Sequence, residues 1–309
     1  MYTGLETVVM SAFDIKIWCE TVQNHKVTYC YVAPPIVVHL AKNPLINNYD
    51  LSSLNFITSG AAPLTKELIV EVHQRLGVRV KQAYGLSETS PVTHMMFWDD
   101  NWKTAMGSCG PPLPNIVAKF MDADGNEVAT GKEGEMWIAG PTVFQGYLNN
   151  DKATAECMTS DSFFKTGDIG FEDENGNLYI TDRVKELIKY KGSQVAPAEL
   201  EGILLGHPKV NDAAVIGWHM EEIHSEVPMA FVVIRDGEKK DEKEAKELIS
   251  WLGQRTSKTK LLRGGIIFID EIPKSASGKI LRRILKELTK EVSFNGGLGR
   301  QKYQEHAKL

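Results

Sequence analysis

The run Tyr84-Gly85-Leu86-Ser87-Glu88-Thr89 sets an aromatic ring, a glycine, a hydroxyl and a carboxylate side by side. Together they offer a face for a flat base, close approach of the backbone, a partner for a phosphate and an oxygen ligand for Mg²⁺. The same run also reads as a helix start capped by Ser87. Ser59-Gly60-Ala61-Ala62-Pro63-Leu64 is small enough for a ring to reach the backbone, or is a tight turn before a helix. Lys165-Thr166-Gly167-Asp168 ends on a carboxylate able to accept both hydroxyls of a ribose, or is a β-turn. The stretch from Asp182 to Gln194 crowds Arg183, Lys185, Glu186, Lys189 and Lys191 ahead of and around Gly192. Such charges meet a ligand at a domain boundary, or form the solvated face of a charged helix. Pro273-Lys274-Ser275-Ala276-Ser277-Gly278-Lys279 sets a lysine after Ser-Gly, where it can reach an anionic centre, or is a surface loop.

The elements around these runs follow from periodicity. Val8-Val9-Met10 reads as a strand. Asp14 caps a helix whose apolar face is Ile15, Trp18, Cys19 and Val22. A strand at Val27–Val32 ends at Pro34-Pro35, which begin a further helix. A strand at Asn55–Thr58, a helix at Leu64–Leu76 and a strand at Val78–Ala83 complete an alternating series, as in a mostly parallel α/β sheet. In such sheets ligands sit at the carboxyl ends of strands, where the Ser59 and Tyr84 runs fall. From Lys103 to Thr181 the texture turns β-rich, with hairpin signals at Asp124-Gly125 and Asn175-Gly176 and a strand at Gly134–Gly140.

Beyond the charged stretch the chain restarts as a helix after Pro197, running Ala198–Leu205. Strands at Ala213–Gly217, Met229–Ile234 and Gly265–Ile269 and helices at Asp241–Gln254 and Lys279–Thr289 follow. The organisation expected is an α/β part over 1–102 and a β-rich part over 103–182, a small α+β domain over 183–291, and a tail over 292–309.

The totals narrow the partners. With 309 residues, 42% hydrophobic and 24% charged, the chain is a globular protein of one large or two ordinary domains. A net charge of −5 without a basic run disfavours nucleic acid. Cys19, Cys30, Cys109 and Cys157 are scattered, which fits a reducing compartment and gives no zinc pattern. The most apolar stretch, Val27–Ala41, is broken by Pro34, Pro35 and His39 and does not span a bilayer. Ala307-Lys308-Leu309 is a close variant of the Ser-Lys-Leu peroxisomal address, so peroxisomal import through its receptor is expected, with the cytoplasm otherwise.

Taken in order and spacing, the five runs resemble the adenylate-forming superfamily of acyl-CoA ligases, luciferases and peptide-synthetase adenylation domains, most of all its 4-coumarate–CoA ligase-like and luciferase-like branch. Tyr84 to Thr89 matches the Y-G-x-T/S-E motif, and Gly134-Glu135 through Gly146-Tyr147 the G-E…G-Y motif. Thr166-Gly167-Asp168, Asp182-Arg183-x-Lys185, Lys189-x-Lys191-Gly192 and Pro273-Lys274-x-x-Ser277-Gly278-Lys279 follow.

The resemblance implies the C-terminal portion of such an enzyme's large domain, a partial α/β sheet plus a β-rich part, followed by a small α+β C-terminal domain. It implies an ATP-dependent ligase using Mg²⁺ that joins an aromatic or fatty carboxylic acid to CoA through an acyl-adenylate. By this resemblance Gly60, Ala61, Ala62, Tyr84 and Gly85 line the adenine site, Ser87 meets the phosphate and Glu88 the metal. Asp168 and Arg183 hold the ribose, Lys185 is the hinge, and Lys279 bridges the carboxylate and the α-phosphate. After the small domain rotates, Lys189, Lys191, Gly192 and Gln194 serve the attack of CoA. Pro91 and Val92 touch the acyl group.

Departures from the pattern matter too. The family's Ser/Thr/Gly-rich phosphate loop ending Pro-Lys-Gly has no counterpart here, and the first residues read as the middle of a larger domain. The chain is therefore expected to be shortened, with a non-catalytic AMP- or partner-binding remnant as the alternative function. A luciferase-like monooxygenase and a peptide-synthetase adenylation domain are further alternatives. Ser225 stands where the pattern has glycine before Glu226, and Ser87 where threonine is commoner.

Overall fold

The computed structural model describes residues 4–60, 64, 66–97, 102–275, 278–289, 293–295 and 298–300. Ala61, Ala62, Ser277 and Ala307-Lys308-Leu309 lie outside the described residues. The chain forms two compact units: Met1–Ile116 with Pro141–Phe144 and Asn175–Tyr179, and Val117–Gly140 with Gln145–Glu174 and Ile180–Leu309.

The first unit is the α/β part. Helix α1 (Ile15–His25) starts where the Asp14 carboxylate accepts the Ile17 N–H at 2.9 Å. Strand β1 (Tyr29–Val32) leads into α2 (Pro34–Lys42), whose prolines occupy the first turn, where no amide is needed. Then come β2 (Phe56–Ser59), α3 (Lys66–Leu76), β3 (Arg79–Gly85) and β4 (Val92–Met95). The sheet order is β1-β2-β3-β4, parallel until β4, which returns antiparallel. Trp18, Val22, Val37, Leu40, Ile57, Ile69, Val72 and Val80 make its core. That alternation of parallel strands and helices matches the series read from the sequence. Val8-Val9-Met10 forms no strand, because no described strand lies alongside to supply a ladder.

The second unit opens with the β-rich part: β5 (Val117–Met121), β6 (Gly134–Ala139), α4 (Asp151–Cys157), β7 (Phe164–Glu172) and, from Ile180 on, β8 (Leu178–Arg183), in sheet order β5-β6-β7-β8. Helix α4 was not legible. Asn150 caps it, its side chain accepting the Ala153 N–H at 3.1 Å, but it buries no residue fully and so carries no apolar stripe.

The charged stretch is not a helix. It is a hairpin of β9 (Ile188–Tyr190) and β10 (Ser193–Val195), turning at Lys191 and Gly192 with φ of 45° and 81°. Two consecutive left-handed residues suit a two-residue hairpin turn. Helix α5 (Pro197–Leu205), β11 (Val210–Met220), β12 (Ser225–Ile234), α6 (Glu242–Gly253), β13 (Ile266–Phe268), α7 (Arg282–Leu288), β14 (Ser293–Asn295) and β15 (Leu298–Arg300) follow. The sheet runs β11-β12-β13-β15-β14. Leu200 and Leu204 of α5 and Leu248 and Leu252 of α6 pack with Val215 and Val232, while Leu285 of α7 packs with Ile216 and Phe231. Alternate residues of each strand thus serve two cores, and the expected α+β module is present. The last expected helix is shorter than Lys279–Thr289. The Ser275 N–H donates to Lys279 O at 2.9 Å and the Leu281 N–H to Pro273 O at 2.8 Å, so Lys279 precedes α7.

Candidate functional site

In the first unit the candidates cluster after β3. Ser87-Glu88-Thr89 forms one 3₁₀ turn, with Ser87 exposed and Glu88 half-buried. The cap is not Ser87. The buried Thr89 hydroxyl accepts the Leu86 N–H at 3.0 Å and donates to Pro91 O at 2.8 Å. Thr89 therefore holds the turn and leaves the Ser87 side chain out of the capping. No capping-box signal was available in the sequence, because Leu86 at the N-cap has no side-chain acceptor and only Thr89 reaches back to the Leu86 N–H. The Phe144 N–H donates to Glu88 O at 2.8 Å, fixing the backbone from which the Glu88 carboxylate projects.

Tyr84 lies across from His94 in the β3–β4 ladder, ring centroids 6.2 Å apart and nearly edge to face. Burial pushes His94 down to about 4. Its Nδ1 lies 3.0 Å from the Thr93 hydroxyl. Gly85 serves the chain itself: a Cβ there would meet Pro91 O at 1.8 Å. Pro91 is exposed and Val92 half-buried at the start of β4. Gly60 directly follows β2 and its last residue Ser59, whose buried hydroxyl has no hydrogen-bond partner among the described residues. An orphan hydroxyl beside a glycine fits a polar ligand group at this strand end. No described group of three or more His, Cys, Asp or Glu side chains could hold a metal ion. Glu88 alone fits Mg²⁺ only as it accompanies a nucleotide, with one carboxylate and phosphate oxygens as ligands.

In the second unit the structure joins Asp168 and Arg183. Asp168 lies within β7 rather than in a β-turn, its N–H donating to the Thr166 hydroxyl at 3.1 Å. The Arg183 Nε–H donates to Asp168 Oδ1 at 2.8 Å, with the carboxylate side chain 3% exposed and the guanidinium side chain 45% exposed. A held carboxylate beside an accessible cation is suited to vicinal hydroxyls. Lys185 is exposed on a turn after β8, closed by the Glu186 N–H to Arg183 O at 2.9 Å.

Lys189 pairs with Gln194 across the β9–β10 hairpin, both exposed, and Lys191 and Gly192 form its turn. The structure therefore brings these four together. Lys279 is exposed ahead of α7. Before it in sequence, Lys274 Nζ lies 2.5 Å from Asp212 Oδ2, and after it Arg282 opens α7. The Arg282 guanidinium reaches Glu201 at 2.7 Å and Glu186 at 3.2 Å. Burial lifts Glu201 to about 7 and Asp182 to about 6. The pairings of Arg282 with Glu201 and of Lys274 with Asp212 were not legible, because the partners are far apart in sequence. No described helix is long and apolar enough to cross a membrane.

The model of the "AMP-binding enzyme" family matches residues 1–148, and that of the "AMP-binding enzyme C-terminal domain" matches residues 199–279. A Dictyostelium discoideum protein named "Probable 4-coumarate--CoA ligase 1" is 44% identical over 287 residues, 92% of this chain and 51% of that protein. ATP-bound MatB from Rhodopseudomonas palustris superposes with a TM-score of 0.82 at 28% identity, over 92% of this chain and 55% of that one. The o-succinylbenzoate CoA synthetase MenE of Bacillus subtilis, in complex with the acyl-adenylate OSB-AMP, gives 0.74 at 29% identity, over 89% and 54%. The chain spans about half the length of the curated relatives it matches.

Proposed function

We propose that this chain, which belongs to the AMP-binding enzyme family, works as part of an ATP-dependent carboxylic acid–CoA ligase. The Asp168–Arg183 pair carries the proposal, because it sets a buried carboxylate beside an accessible guanidinium, a pair suited to the hydroxyls of a ribose. In the first step a carboxylate oxygen of the acid attacks the α-phosphorus of ATP, a P–O bond forms and pyrophosphate departs. In the second the thiolate of CoA attacks the acyl carbon, a C–S bond forms and AMP departs.

Each side chain has a part in this reading. Gly60 and Tyr84 take the adenine, with Gly85 shaping the turn, and Ser87 meets a phosphate oxygen. Glu88 ligates Mg²⁺, which when bound neutralises phosphate charge. Asp168 accepts hydrogen bonds from the ribose hydroxyls with Arg183 beside it. Lys279 stabilises charge developing between the acid and the α-phosphate. Lys185 is the pivot, and Lys189, Lys191, Gly192 and Gln194 serve the thiol step. Pro91 and Val92 favour an apolar or aromatic acyl group, in keeping with relatives named for 4-coumarate.

The test is ATP–pyrophosphate exchange with a panel of aromatic and fatty acids. It is run on this chain alone and on this chain fused to the N-terminal half of a curated relative. Acid-dependent exchange in either supports the ligase. AMP binding without exchange in both supports the remnant reading instead. Peroxisomal import through Ala307-Lys308-Leu309 is part of the proposal. A fluorescent protein carrying these residues at its carboxyl end reaches peroxisomes if it holds, and stays cytosolic if it does not.

A further inference from the structure

The hairpin bearing Lys189, Lys191 and Gln194 is short, and one strand of it has an open side. Tyr190 and Ser193 flank its two-residue turn, and Lys189 faces Gln194. In a hairpin closed this way the flanking pair exchanges hydrogen bonds and the next pair does not. The Lys189 N–H and C=O therefore point away from β10. Left to solvent, such an edge frays.

Side chains of β12 close that edge. Lys189 N–H donates to Glu226 Oε2 at 3.0 Å. The Ser225 hydroxyl donates to Lys189 O at 3.0 Å and accepts the Lys191 N–H at 2.9 Å. Ser225 is buried, 9% exposed. Glu226 reaches the hairpin because Gly217 of β11 leaves it room: a Cβ at Gly217 would lie 2.9 Å from Glu226 Oε2. Two consecutive side chains thus do the work of a neighbouring strand. A glycine at 225 would offer no hydroxyl for two of these three bonds.

We propose that Ser225, Glu226 and the space left by Gly217 form a clamp on the backbone of Lys189–Lys191 that positions the hairpin for the thiol step. Ser225 and Glu226 are positioning residues, acting through the hairpin. The inference rests on the ligase reading for the step it serves, while the clamp itself is a property of this chain alone.

Amide hydrogen exchange of the 309-residue chain, read by NMR, tests the clamp. Ser225→Ala speeds exchange at Lys191 roughly five- to tenfold, as loss of one hydrogen bond requires. Ser225→Thr, which keeps the hydroxyl, restores protection. Gly217→Ala displaces a flexible carboxylate, so the chain still folds, and it speeds exchange at Lys189 while sparing Lys191. Unchanged Lys191 exchange in Ser225→Ala overturns the clamp. In the fused enzyme Ser225→Ala slows thioester formation roughly three- to tenfold and leaves pyrophosphate exchange unchanged. Equal loss in both half-reactions overturns the positioning role. A fused wild type without pyrophosphate exchange overturns the ligase reading, while the amide result still decides the clamp.

Discussion

Arg183 donates from Nε to Asp168 Oδ1 across 2.8 Å, joining residues fifteen positions apart at neighbouring strands β7 and β8. The carboxylate is buried and the cation is half in water, so the pair itself adds only ~1 kcal/mol to stability. In the proposed ligase its value lies in presenting a fixed acceptor to the ribose. Asp168→Asn is expected to weaken AMP binding roughly ten- to hundredfold, from loss of charge-assisted bonds worth ~1.5–3 kcal/mol. Titration calorimetry with AMP checks this. Affinity equal to wild type removes Asp168 from the site.

Gly85 is set against the chain's own return, with Pro91 O at 1.8 Å from a built Cβ. The obstacle is backbone, which cannot swing aside. Gly85→Ala should destabilise the chain by ~2–3 kcal/mol. Urea denaturation measures it, and a loss under ~0.5 kcal/mol means that the β3–β4 connection is free to shift.

His94 is held neutral by burial, its pKa pushed down to about 4 from an ordinary value of 6.5. The folded value lies below the unfolded one. The stability it contributes is therefore present above about 6.5 and is lost as pH falls toward 4, when the unfolded chain binds a proton that the folded chain refuses. Between pH 7 and 5 the loss is ~2 kcal/mol. His94→Gln, which does not titrate, should flatten that part of the stability profile in urea melts. An unchanged profile would mean that other groups set it.

Arg282 faces Glu201, Glu186 and the nearby Asp182, three carboxylates against one guanidinium. Glu201 and Asp182 are lifted to about 7 and about 6, above their ordinary values. The stability they contribute is present at low pH and is lost as pH rises through 6 and 7. Removing the cation should enlarge that loss. Arg282→Met is expected to cost ~3 kcal/mol at pH 8. The cost should shrink at pH 5, where the carboxyls have taken up protons. Paired denaturation curves at the two pH values check the sign, and a cost that grows on acidification contradicts it.

The repeating elements were written into the sequence because their cause is local. Asp14 caps α1 with its own side chain, Pro34 and Pro35 open α2, and the 3.6-residue stripe Leu68, Ile69, Val72 marks α3. The motif from Tyr84 to Thr89 and its order relative to Asp168, Arg183 and Lys279 were equally readable, since residue type and spacing carry that signal. Elements with no stripe were not: α4 buries no residue fully, and the charged run after Arg183 became a hairpin although its charges suit a helix face as well.

What the sequence alone determined is the inventory of chemistry and the helices and strands that carry it. The tertiary structure decided which groups meet: Phe144 with Glu88, Arg183 with Asp168, Arg282 with Glu201, and Ser225 with the backbone of Lys189 and Lys191. Propensity and periodicity act within a few residues. A buried hydrogen bond or ion pair depends on which partner the folded chain brings within about 3 Å, and that is set by the packing of the whole sheet.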